Sequence, residues 1–328
     1  MPSSPEPRPS QGPELLLHRW SQSWACRGRY PPLDCLPFME FDLLTNPRSG
    51  KGEGPARAAA IAAELLRRGH GVQIHAGQSA EDAALWAAAA AERSQRLLVV
   101  GGDGSLSAAL QGLPQGCPPV LLCPLGTGNA MSLELGLPSE PGQLADLAER
   151  GRTQKVDIGE ANGRRCFMVM GFGMDGEIVR RIEERRSGTM RKTDYLPVIL
   201  KTLQAWTPEP QRVWIDGEDL GEFDFGIVAN VSTYGTWALQ LGPCEYDDGL
   251  WEVYLVRRAD LPGTSVAAGA ALLGSLRHAP GVVHRRGREV IVQGTEASPF
   301  QVDGDFGGNT PVNFNLPGFQ LPLLVPER

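Results

Sequence analysis

The chain has 328 residues, a formal net charge of −7, 40 glycines and 27 prolines. That length exceeds what one hydrophobic core usually serves, and the turn residues imply many strands, so an α/β half and a β-rich half are expected. The acidic balance leaves no basic excess to attract nucleic acid or to drive charge-based attachment to acidic membranes, and no run of about 18 apolar residues predicts a transmembrane helix.

Residues 1–39 read as a disordered N-terminal extension that opens MPSSPEPRPSQG and lacks the uninterrupted apolar core of a secretory signal. Within it, Leu15, Leu16, Leu17, Trp20 and Trp24 leave two readings open, a short interfacial helix or a poorly ordered tail. FDLLT from Phe41 reads as the first strand and runs into the turn-rich loop Asn46-Pro47-Arg48-Ser49-Gly50-Lys51-Gly52. Pro55 opens an alanine-rich helix to about Arg68, stopped by Gly69 and Gly71. VQIHA is the next strand, and Ser79 to Asp82 resembles a helix cap for a segment through Arg93.

Two apolar strands then end in glycine-rich loops. LLVV at 97–100 delivers Gly101-Gly102-Asp103-Gly104-Ser105-Leu106, continuing to Ser107, and VLLC at 120–123 delivers Pro124-Leu125-Gly126-Thr127-Gly128-Asn129-Ala130. Glycines let backbone N–H groups approach an anion, and a helix starting after such a turn aims its positive dipole end at the same place. Strand–helix alternation implies a parallel sheet, whose ligands bind at the carboxyl ends of the strands. Both loops lie there, which points to a nucleotide triphosphate site.

From about Val156 the pattern is antiparallel. Asn162-Gly163 and Asp216-Gly217 are two-residue hairpin signals between strand-like runs. Helices are expected near 176–186, 195–206 and 262–277, with strands LWEVYLV, REVIVQ and PFQVD among them. The expected architecture is therefore two-domain: an α/β parallel-sheet nucleotide domain over 40–155 and an antiparallel β-sandwich-like domain over 156–315. FQLPLLVP, within 316–328, is a candidate to return to the first domain. The six cysteines, at 26, 35, 117, 123, 166 and 244, form no CxxC pair and predict neither zinc nor a disulfide framework, which fits a reducing, cytoplasmic setting.

NPRSGKG, VVGGDGSLSAAL, PLGTGNAMSLELGLP, VDIGEANGRRCFMVMGFGMDGEIV, YDDGLWEVYLV and FQVDGDFGG, in this order and spacing, resemble the catalytic domain of the diacylglycerol kinase and sphingosine kinase family, above all its bacterial soluble members. The resemblance covers about residues 40–328. It implies transfer of the γ-phosphate of ATP to a lipid hydroxyl, with Mg2+, in a cleft between two domains, by an enzyme working peripherally at a membrane surface; a homodimer is a candidate assembly.

On this likeness Asn46 through Gly52 and Gly101 through Ser107 surround the phosphates, Asp103 holds magnesium directly or through water, and Gly126, Thr127 and Asn129 contact the nucleotide. Arg48 and Lys51 are the natural cations for the transferring group, against the alternative of solvated loop residues. Asp303-Gly304-Asp305 stands where the family has Asp-Gly-Glu and supplies the group that accepts the hydroxyl proton; which carboxylate does so stays open, and Asp303 also fits a hairpin corner. Gly307-Gly308 is expected to leave room for substrate. Asp248, with carbonyls of Glu245 and Leu250, resembles a structural magnesium site, against a solvated β-turn. Asp175 is read either as lining the cleft or as capping a helix.

The chain departs from the family pattern at Ser105, Ala130 and Gly77, where Thr, Asp and Thr are usual. The five histidines do not cluster, and none is a catalytic candidate. His284-Arg285-Arg286-Gly287-Arg288 reads as a solvated hairpin tip or an anionic headgroup contact. Two rival readings are an NAD kinase-like enzyme with a soluble substrate and an inactive nucleotide-binding regulator.

Overall fold

The computed structural model describes residues 37–47, 49–125, 129–185, 192–235, 239–257, 270, 272, 274–294 and 298–327, which, Pro37 aside, belong to one unit, Phe38–Arg328. Its first half runs β1 (Glu40–Thr45), α1 (Gly54–Arg67), β2 (Gly71–Ala76), α2 (Ala80–Arg93), β3 (Arg96–Gly101), α3 (Asp103–Leu110), β4 (Val120–Pro124), α4 (Ala130–Glu134), α5 (Pro141–Arg150) and β5 (Arg152–Asp157). Next come β6 (Gly159–Ala161), β7 (Arg164–Cys166), β8 (Val169–Phe172), α6 (Met174–Arg185), α7 (Lys192–Ala205), β9 (Gln211–Ile215), β10 (Glu218–Phe223) and β11 (Phe225–Ala229). The chain ends with β12 (Thr233–Tyr234), β13 (Leu239–Gln240), β14 (Trp251–Val256), β15 (Val282–Gly287), β16 (Glu289–Gln293), β17 (Pro299–Val302), β18 (Asp305–Asn309), β19 (Val312–Asn315) and β20 (Gln320–Val325). Most of the helix expected near 262–277 lies outside the described residues; of those described, Ala270 and Leu272 are helical and Leu276–His278 forms a 3-10 turn.

The first sheet has the order β2-β1-β3-β4-β20-β5. Its first four strands pair in parallel, and β20 joins β4 in parallel and β5 antiparallel, so the C-terminal strand closes the sheet of the N-terminal half. β4 is buried throughout and β3 nearly so, as expected of central parallel strands covered on both faces. Ser79 caps α2 by accepting the Asp82 N–H at 3.1 Å, and Pro55 stands in the first turn of α1. Arg68, at the end of α1, reaches Glu64, Asp146 and Glu149 and so ties α1 to α5.

Two further sheets, β10-β9-β16-β19-β6-β7 and β15-β14-β11-β8-β17-β18, are antiparallel and form the sandwich. Their facing side chains make one apolar cluster that includes Val213, Ile215, Val290, Val292, Phe172, Trp251, Val253 and Phe300, with the Trp251 and Phe314 ring centroids 4.8 Å apart. Asn162-Gly163, Asp216-Gly217 and Asp303-Gly304 all have positive φ at both residues, the geometry of tight hairpin turns. A second cluster carries residues of both halves, among them Leu106 and Met131 from the nucleotide side and Phe167, Met168 and Ile227 from the sandwich, so the halves share a core.

At Gly112 a Cβ would collide with the carbonyl oxygen of Ala84 in α2. Gly112→Ala is therefore expected to lose roughly 1–3 kcal/mol by overpacking the α2–α3 contact, measurable by urea unfolding. Hydrogen bonds from Arg67, then Arg68, hold the Glu64 carboxyl at about 2 instead of its ordinary 4.5. A depressed carboxyl stabilises the fold above its unfolded value, and the contribution disappears as pH falls from about 4.5 through about 2. Glu64→Gln should flatten the melting temperature over that window; because the pair is exposed, the effect should be small and shrink in salt.

Candidate active site

The three loops that leave β1, β3 and β4 meet at the carboxyl edge of the sheet. Within the first loop Ser49 N–H donates to the Asn46 carbonyl at 3.0 Å. Gly50 and Lys51 are both left-handed (φ 57 and 61), which turns successive backbone N–H groups the same way. Ser49 Oγ lies 3.4 Å from Ser105 Oγ, joining the first loop to the second. Leu125 donates its N–H to the Gly101 carbonyl at 3.1 Å, and a Cβ on Gly50 would sit 3.1 Å from Leu125 Cβ. Gly102 leaves space for Asn129, whose Oδ1 would be only 2.8 Å from a Cβ there.

Asp103 links the second and third loops. Its carboxylate accepts the N–H groups of Ala130 at 2.7 Å and Met131 at 3.3 Å, capping α4 from outside that helix. Leu106 and Ser107 point into the protein, Leu106 as part of the shared core. Lys51 is exposed and Pro47 sits at the turn after β1, while Arg48, Gly126 and Thr127 lie outside the described residues.

The Asp303-Gly304 turn joins β17 to β18 and separates its two carboxylates completely. Asp303 is buried and accepts main-chain N–H groups from Met168 at 2.9 Å, Val169 at 3.0 Å and Phe167 at 3.1 Å, with the Cys166 thiol at 3.4 Å. Burial pushes its carboxyl upward, and those N–H groups pull it back down. Asp305 is exposed over 44% of its side chain and pairs with Arg164 at 2.8 Å. Arg164 belongs to β7, which is docked on α3: Gln111 exchanges two 3.0 Å hydrogen bonds with the Arg165 backbone, and the Arg165 guanidinium donates to the Leu110 and Leu113 carbonyls. The helix opened by the Gly101–Ser107 loop thus carries the strand whose Arg164 pairs with Asp305.

Several sequence-derived roles look different in the fold. Gly307 leaves room for the Phe300 ring rather than for a substrate, since a Cβ would strike that ring. Asp175 lies in the first turn of α6 and is buried, hydrogen-bonded by Tyr234 and by Gln301 Nε2 at 2.9 Å. His284 and Arg286 lie on β15: His284 hydrogen-bonds Glu252 at 2.5 Å, and Arg286 is ion-paired with Asp248 and, at 3.0 Å, with Glu252. The run is a paired strand and not a solvated hairpin tip. Asp248 Oδ1 also accepts the Leu250 N–H at 3.0 Å, and Glu245 lies on the same segment before β14. Among the described residues no cluster of three or more His, Cys, Asp or Glu side chains is arranged to hold a metal ion. Arg164, Tyr234 and Gln301 carried no sequence signal, because an arginine, a tyrosine and a glutamine in strands are common surface or core residues.

An α/β sheet with glycine-rich loops at its carboxyl edge, followed by an antiparallel sandwich, is the architecture in which the comparisons with known proteins place this chain. The diacylglycerol kinase catalytic domain model matches residues 40–161, and the YegS C-terminal NAD kinase beta sandwich-like domain model matches 168–325. The diacylglycerol kinase of Mycobacterium tuberculosis (strain ATCC 25618 / H37Rv) is 35% identical over 228 residues, covering 65% of this chain and 72% of that one. The diacylglycerol kinase of Staphylococcus carnosus (strain TM300) is 25% identical over 276 residues, covering 83% and 90%. A solved diacylglycerol kinase from Bacillus anthracis str. Sterne shares the fold, with a TM-score of 0.68 at 21% identity over 88% of this chain and 97% of that one. The chain belongs to the diacylglycerol kinase family of lipid kinases, phosphotransferases with an alcohol group as acceptor. Among the described residues no helix is long and apolar enough to cross a membrane.

Because Asp103 is the outside cap of α4, Asp103→Ala should cost roughly 0.5–2 kcal/mol and free the first amides of that helix. Faster hydrogen exchange at Ala130 and Met131, with exchange in β3 and β4 unchanged, is the expected result.

Proposed function

We propose that the chain transfers the γ-phosphate of ATP, with magnesium, to the hydroxyl of a diacylglycerol-like lipid at a membrane surface. In this reading 40–155 together with 316–328 bind the nucleotide, and 156–315 receive the lipid. The observation that carries it is the division of labour at the Asp303–Asp305 turn: one carboxylate is saturated by main-chain donors, and the other is solvent-reachable and held by a single arginine.

Asn46, Pro47, Ser49, Gly50 and Lys51 cradle the phosphates from one side, and Gly101 through Ser105 with Asn129 from the other. Backbone N–H groups and the Lys51 ammonium offset the charge that develops on the transferring group. Asp305 accepts the proton of the lipid hydroxyl as its oxygen bonds to the γ-phosphorus; the bond from that phosphorus to the β–γ bridging oxygen breaks, and ADP leaves. Asp303 holds the turn in place and takes no proton.

Asp103 fits magnesium by the chemistry of its donor atoms: it is a carboxylate, a hard oxygen ligand, held between the second and third loops by the Ala130 and Met131 N–H groups. Bound there with the nucleotide, the ion would neutralise phosphate charge and orient the γ-phosphoryl group. Asp248 is a poorer fit, since Arg286 and the Leu250 N–H engage its two oxygens, and no step is assigned to a metal at that place.

The test is transfer of label from γ-labelled ATP to micellar lipid alcohols, with NAD as soluble comparator. Label should enter a lipid product. Asp305→Asn should lower the rate roughly 10²–10⁴-fold with an unchanged melting temperature, as expected for loss of a general base. Asp303→Asn should act mainly by destabilising the fold, because an amide cannot accept all three N–H groups. Label in NAD, or full activity in Asp305→Asn, would overturn the reading.

A further inference from the structure

Asp175 is a buried acid that meets no cation among the described residues: its partners there are the Tyr234 hydroxyl on Oδ1 and Gln301 Nε2, 2.9 Å away, on Oδ2. Burial pushes its carboxyl upward, and the phenol of Tyr234 is likewise raised by burial and by the adjacent acid. Such a group is expensive to keep unless every acceptor is used. The fold makes room for it, because a Cβ on Gly171, the residue paired with Gln301 across β8 and β17, would collide with Asp175 Oδ2.

The network continues in both directions. Gln301 is fully buried, and its Oε1 accepts the Gly304 N–H at 2.8 Å, one residue before Asp305. On the other side Tyr234 belongs to β12. The Ser232 N–H and the Thr233 hydroxyl, next to it, donate to Glu134 at 2.9 and 3.2 Å, and the Tyr246 hydroxyl joins at 2.8 Å. Glu134 is the last residue of α4, the helix capped by Asp103. Direct hydrogen bonds and short stretches of backbone therefore run from the glycine loops to the turn that bears Asp305.

We propose that Tyr234, Asp175 and Gln301 form a positioning strut that, through Glu134, sets the Asp305-bearing turn relative to the nucleotide loops. This rests on the reading of Asp305 as proton acceptor. The strut touches no reacting atom; it keeps the acceptor carboxylate within the small positional tolerance that phosphoryl transfer demands. Tyr234→Phe removes one oxygen and leaves the ring, and Glu134→Gln keeps the shape of the other end.

Each single variant should lower kcat per folded molecule at least about 10-fold while KM for ATP stays at the wild-type value, because the lost property is alignment in the transition state; Tyr234→Phe should also lower the melting temperature, since it leaves Asp175 short of a donor. The double variant should be no slower than the worse single one, the non-additivity expected of one connected device. Asp305→Asn is assayed in parallel. If it remains active, the proton-acceptor reading fails and the strut with it. If it is inactive while both single variants keep wild-type kcat, or slow the enzyme by factors that multiply, the strut alone is refuted. A fall in melting temperature with unchanged kcat per folded molecule also refutes it, as a merely structural role. Should Tyr234→Phe not fold, Glu134→Gln and Asp175→Asn carry the same comparison.

Discussion

The carboxylate of Asp303, gripped by three successive main-chain N–H groups, is the contact on which the site depends. Charge-assisted hydrogen bonds to fixed backbone donors are short and strong, and in a buried setting they are not diluted by water. This contact pins the β17–β18 turn to the connection between β7 and β8. Because β7 is itself docked on α3 through Gln111 and Arg165, the acidic turn is registered against the Gly101–Ser107 loop through secondary-structure elements. The left-handed backbone at Asp303 and Gly304 is the local condition for this arrangement: it brings the carboxylate back over its own hairpin and projects the next acid outward.

The carboxyl edge of the first sheet is organised by a second carboxylate, Asp103. It caps α4 across the gap between loops, doing with a side chain from another element what a local cap normally does. Position 130 is an alanine, and its N–H is the group Asp103 receives most closely, so the cap draws on the backbone there and needs nothing from the side chain.

Acidic residues just before and within β14 are engaged from the next strand. Arg286 spans Asp248 and Glu252, and His284 hydrogen-bonds Glu252 while stacking at 4.9 Å on Tyr254. Asp157 adds a link by accepting the Gly249 N–H at 2.6 Å and the Gln320 amide at 2.8 Å, so this segment, the end of β5 and the C-terminal strand are held at one junction. The junction sits where the chain passes from the first sheet to the sandwich, between β5 and β6.

What was legible in the sequence were the features set by neighbours in the chain. Glycines after apolar runs, Ser79 before Asp82, and the Asx-Gly pairs are local signals, because backbone φ, capping and hairpin twist depend on a few adjacent residues. They yielded the alternating first half, the antiparallel second half and the three loops with their order. Only the tertiary structure decided which residues face one another. The Asp303–Asp305 pair has two acids and one glycine, and nothing in that spelling says which acid is buried; the answer comes from N–H groups more than 130 positions away. Likewise Asp175 looked equally suited to a cap or a cleft and is neither alone, since Tyr234 and Gln301 reach it from other elements. Sequence determines what each short segment can do by itself. Burial and pairing across the fold determine which of its polar groups are used for structure and which remain for chemistry.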